Sequence, residues 1–142
     1  MSRLEERIEN FKKAFELYQN MRNGYVADKV NDTNRLAMVQ SFEIVFELAW
    51  KVLKDYLYEN GIEANYPKTV IKEAFNKKTI ENGQTWIDMS ETRNSTSHEY
   101  NMDKVNIMLE KIAYPYYDEL LAFSGKVEEL INEWFWTARK NN

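Results

Sequence analysis

The sequence predicts an all-α protein, an antiparallel up-and-down bundle of four to five helices with a long, kinked last helix. Three observations predict it. The 142 residues hold only 4 Gly and 2 Pro, too few turn residues for a many-stranded sandwich or barrel. Apolar residues recur at steps of three and four along most of the chain, the period of a helix buried on one side. The connections between these stretches are short, as in antiparallel bundles. The length suits one domain spanning residues 1–142, and no repeat, linker or low-complexity segment divides it.

Ser2 and Glu5 have capping-box spacing and mark a helix start. Leu4, Ile8, Phe11, Phe15 and Tyr18 continue as a stripe, and Asn23-Gly24 reads as its end. Tyr25 to Thr33 reads as a connection. The second helix has Val39, Phe42, Phe46, Ala49, Leu53 and Tyr56 on one face and Met38, Val45, Leu48 and Val52 on the next. Only a strip of Gln40, Glu43, Glu47, Lys51 and Lys54 remains polar, so this helix is expected at the centre of the bundle or at a subunit interface. Asn60-Gly61 is its stop.

Pro67 fits the first turn of a short third helix whose apolar side is Val70, Ile71, Ala74 and Phe75. Lys68, Lys72, Lys77 and Lys78 make it the most basic stretch. A fourth helix is expected from about Asn82 into the nineties, anchored by Trp86, Ile87 and Met89, with a polar end at Asn94 to Ser97. The last begins near Asn101 or Asp103. Its stripe of Val105, Leu109, Ile112, Tyr116, Leu120, Phe123, Val127, Leu130 and Trp134 keeps phase across Pro115, which predicts one kinked helix. Trp134-Phe135-Trp136 reads as a cap on the core or an interface patch.

Composition narrows the chemistry. With no Cys and a single His, structural zinc, thiol nucleophiles and disulfides are excluded, and a zinc catalyst would lack ligands. No metal site and no cofactor are expected. There is no Gly-rich phosphate loop and no GxSxG. The net charge of −4 speaks against bulk nucleic-acid binding, although a local basic patch can still hold phosphate. No apolar run is long enough for a membrane span, and Met1 to Glu6 do not lead into a signal-peptide core, so a cytoplasmic location is expected.

One constellation remains, Arg93-Asn94-Ser95-Thr96-Ser97-His98-Glu99-Tyr100. A lone histidine is more often a surface or core residue than a catalyst, and Arg93 suits a helix end. Yet the residue types suit acid–base work on a phosphate ester, which needs a base, an acid and a cation for the charge that develops. His98 can serve as an acid or a base, and Arg93 can clamp phosphate bidentately. Asn94 and Ser97, with Ser95, are further donors. Were 93 to 98 helical, Arg93 and His98 would point roughly 140° apart. Two copies of the motif meeting across a two-fold axis ease that problem and supply a second histidine.

Arg93-x4-His98-x-Tyr100 resembles the HEPN superfamily signature. Phe42-Glu43-Ile44-Val45-Phe46-Glu47-Leu48-Ala49-Trp50-Lys51 resembles the second helix of the small nucleotidyltransferase substrate-binding, or HepT-like, proteins. The resemblance covers most of the chain. It implies a dimerising helical bundle with two motifs at the interface and a minimal nucleotidyltransferase as partner, often as toxin and antitoxin. It implies metal-independent endoribonuclease activity, with Arg93 and His98 catalytic and RNA as substrate. It also implies Tyr100 as the residue that the nucleotidyltransferase modifies with AMP. The alternative is a non-catalytic subunit that binds a nucleotide or other substrate for that partner. A third reading is a helical interaction protein with an idle motif.

Overall fold

The computed structural model describes residues 2–140, and the side chains through Asn132. The helices are α1 (Arg3–Ala27), α2 (Asp32–Glu59), α3 (Pro67–Asn76), α4 (Gly83–Ser95), α5 (Met102–Ala113) and α6 (Pro115–Lys140). No strand occurs among the described residues. Tyr114 alone separates α5 from α6, so the two are arms of one helix kinked at Pro115, and the six helical segments make a bundle of five helices, within the four to five expected. The aromatic run Trp134-Phe135-Trp136 lies outside the described side chains.

Each long helix runs against its neighbour. Arg7 near the start of α1 bonds Asp55 near the end of α2, and Gly24 near the end of α1 accepts from Asn34 near the start of α2. Lys12 pairs with Glu128, and Gln19 donates to Tyr117, which sets α1 antiparallel to α6. α2 packs against all five other helices. Its two apolar faces explain this: Met38, Phe42, Val45, Phe46, Ala49, Val52 and Leu53 are all fully buried. A run of ring contacts crosses the core from Tyr18 of α1 through Phe42 and Phe46 of α2 to Trp86 of α4. It continues to Phe123 of α6 and returns to Phe11 of α1.

Two local expectations change. α1 does not stop at Gly24 but runs on to Ala27. Tyr25 is buried and its hydroxyl donates to Glu110 at 2.8 Å, so tertiary contact extends the helix past a residue that is only weakly unfavourable inside it. Asn31 then caps α2 by accepting from the Asn34 amide. Phe75 is half exposed instead of core-facing; its ring lies over Gly83, where a Cβ would stand 3.0 Å from it. Asp55, next to the expected polar strip, is buried and takes Arg7 at 3.0 Å and Arg3 at 3.6 Å.

The kink has its own chemistry. Pro115 has no N–H, and the first amide to resume helical bonding is Asp118, which donates to Tyr114. The carbonyls of Ile112 and Ala113 therefore need other donors. Tyr18 donates its hydroxyl to Ile112, and Arg22 donates Nε to Ala113 at 2.7 Å. The Arg22 guanidinium also lies 4.2 Å from the centre of the Tyr117 ring. Two side chains of α1 thus serve the carbonyls that the kink leaves without backbone donors.

Candidate active site

α4 carries the first half of the motif, and its position is fixed by side chains facing α6. Trp86 is fully buried and donates Nε1 to Glu119 at 3.0 Å. Asn82 Nδ2 donates to the other oxygen of Glu119 at 2.7 Å. Just before the motif, the Thr92 and Tyr116 hydroxyls bond at 2.8 Å. Burial pushes the Tyr116 hydroxyl above its ordinary pKa, with the Thr92 bond acting the other way. It stays a neutral partner.

Arg93 sits in the last turn of α4, where a cation meets the negative end of the helix. Its side chain is about one-third exposed (34 %) and pairs with Glu43 of α2 at 3.3 Å through NH1. Its Nε is shielded from water and has no hydrogen-bond partner among the described residues. Arg93 and Glu43 line an open groove of about 550 Å³ with Gln40, Ile44, Glu47 and Leu48. Ile44 is half exposed. Glu47 is turned to its own helix, accepting from Trp50 Nε1 at 3.1 Å and pairing with Lys51 at 3.5 Å. By sequence Glu43 falls in a solvated strip; no local signal marks it, because its partner is on another helix.

α4 ends at Ser95, within the polar run expected to close it. Ser95 and Thr96 turn their hydroxyls back to the carbonyls of Thr92 and Arg93. The chain then makes one more turn, in which the amides of His98 and Glu99 both donate to the Ser95 carbonyl. Asn94, Ser97 and His98 are exposed, and Tyr100 is 85 % exposed. Glu99 accepts from the Asn101 amide, and Asn101 caps α5. The motif is thus a helix end and a turn held between two caps, and its side chains face outward. No side-chain hydrogen bond or ion pair joins Arg93 to His98 among the described residues.

The basic stretch is divided. Lys68 at the start of α3 reaches Glu91 of α4 at 3.4 Å, close to the motif. Lys77 and Lys78 lie at the other end of α3, beside Lys126 and Glu129.

Comparison with known proteins decides the family. The model of the nucleotidyltransferase substrate binding protein like family matches residues 6–129. The chain belongs to that family. A HepT-like relationship within it is supported by a curated relative, the probable ribonuclease HepT of Haemophilus influenzae. It is 31 % identical over 106 residues, covering 71 % of this chain and 70 % of that protein. A crystal structure of a protein from Thermus thermophilus superposes with a TM-score of 0.62 at 26 % identity, covering 87 % of this chain and 98 % of that one. No helix of this family member is long and apolar enough, within the described residues, to cross a membrane.

Proposed function

We propose that this chain is a metal-independent endoribonuclease, the toxin partner of a minimal nucleotidyltransferase, and that its active site forms where two copies meet. The observation that carries the proposal is the state of Arg93. It lies in an open groove with its side chain about one-third exposed and one terminal nitrogen held by Glu43. The exposed part of the guanidinium can take a phosphate oxygen. The half-exposed Ile44 beside it gives the groove an apolar wall for the second copy. His98 stands free on the following turn, unconnected to Arg93 within one chain.

The reaction follows from those groups. One His98 takes the proton of a ribose 2′-hydroxyl, whose oxygen attacks the adjacent phosphorus. The 5′-oxygen leaves with a proton from His98 of the second copy. The products are a 2′,3′-cyclic phosphate and a free 5′-hydroxyl. Arg93 stabilises the charge of the phosphorane, with Asn94 and Ser97 as further donors. Tyr100, exposed two residues from His98, is the residue that the nucleotidyltransferase modifies with AMP. A phosphate placed there would repel RNA from the site.

A second reading, a nucleotide-binding subunit without cleavage, is favoured by Glu43 and Glu47 in the groove, whose charges oppose a polyanion. Mixed dimers separate the two. Arg93→Ala and His98→Ala homodimers should both be inactive. A heterodimer of wild type and His98→Ala, purified through two different tags, should also lose nearly all cleavage, because its composite site holds a single His98. A heterodimer that keeps half of the wild-type cleavage would contradict the composite site.

A further inference from the structure

A second cleft opens beside the motif, between the end of α4 and the outer face of α5. It has a volume of about 210 Å³. Its α5 wall is Lys104, Ile107, Met108 and Lys111, the i, i+3, i+4, i+7 spacing of one helix face. Ile107 is 58 % exposed, and Met108 is partly buried against the core. The strip lies at the mouth of the cleft with a lysine at each end. The opposite wall is Thr92 and Ser95, whose hydroxyls are already committed to Tyr116 and to the Thr92 carbonyl. Glu99 lies at the motif end with one carboxylate oxygen accepting from the Asn101 amide.

We propose that this cleft holds one nucleotide of the RNA strand next to the cleaved bond. The inference rests on the ribonuclease reading and names where its substrate runs. The base lies on Ile107 and Met108, and the phosphates on its two sides meet Lys104 and Lys111. Four observations support it. Neither lysine has a carboxylate partner among the described residues, so both charges are available to an anion. Seven residues of helix separate them by roughly 10 Å, a distance that two flexible lysine stems can adjust to successive phosphates. The volume is below the roughly 300 Å³ at which pockets begin to enclose drug-sized ligands. It therefore suits one base. Ser95 and Glu99 belong both to this cleft and to the motif, so a strand leaving His98 enters it directly.

The test is binding of a labelled single-stranded oligoadenylate to the intact protein, titrated at several salt concentrations, for wild type and Lys104→Gln/Lys111→Gln. Both lysines are exposed, and thermal melting checks that the variant folds as the parent does. Losing two phosphate contacts should flatten the slope of log K against log salt by about 1.4. In cleavage assays the loss should fall on KM more than on kcat, and Lys104→Arg/Lys111→Arg should restore both KM and the slope. A folded glutamine variant with wild-type affinity and slope overturns the cleft while leaving the ribonuclease reading intact. A wild type that neither binds nor cuts RNA removes both.

Discussion

Arg93 and Glu43 show how one contact between helices can prepare a site. A guanidinium on an exposed helix end would sample many rotamers, and holding it costs side-chain entropy. Glu43 fixes one end of it from α2. The pair is partly solvated, so its contribution to folding is below about 1 kcal/mol, and its value is orientation. Glu43→Gln should leave the urea midpoint nearly unchanged and lower kcat for RNA by about tenfold, since small misplacements of a positioning group have large kinetic effects. Equal losses of stability and activity would make Glu43 merely structural. The motif itself was legible because Arg93, His98 and Tyr100 are close in sequence. Glu43 was not, because helix periodicity reports which face a residue takes and not which distant side chain meets it.

At the scale of elements, the kink in the last helix separates what periodicity can and cannot reveal. Pro115 marks the break in the sequence, and the unbroken apolar stripe indicates a single bent helix. The donors that make the bend tolerable, Tyr18 and Arg22, are 94 and 91 residues from the carbonyls they serve. Nothing local announces them. Tyr18→Phe should leave the Ile112 carbonyl buried without a donor and cost about 1–3 kcal/mol, read from chemical denaturation. A loss within error would mean that another donor takes its place. The same limit explains the other revisions. Gly24 looked like a stop because the burial of Tyr25 depends on Glu110, and Phe75 looked like core because the space over Gly83 is set by two helices at once. α2 was read correctly because its apolar residues fill most of its circumference, and only a central position satisfies that.

For the whole molecule, the tyrosines that tie the helices together also set its response to pH. Tyr25 is pushed up to about 12 from an ordinary 10.0, by desolvation and then by its bond to Glu110. Burial likewise raises Tyr18 and Tyr116. In each case the folded state holds a proton that the unfolded chain releases near pH 10, so the stabilisation is present below that pH and is lost as pH rises towards 12. Glu110 is lowered from 4.5, first by its bond from Tyr25, so its contribution is present above 4.5 and lost on acidification. Urea midpoints should therefore fall between about pH 9 and 11.5. A flat profile across that range would show that these hydroxyls ionise as freely in the fold as outside it.

The proposed ribonuclease chemistry depends above all on His98. It stands exposed on the turn that follows Arg93, whose side chain is about one-third exposed to the groove. The direct measurement is RNA cleavage by the purified chain in EDTA, side by side with His98→Ala. The wild type should cut, leaving cyclic-phosphate ends, and the variant should lose nearly all of that activity. Equal cutting by both, or none by an unmodified wild type, would contradict a catalytic role for His98.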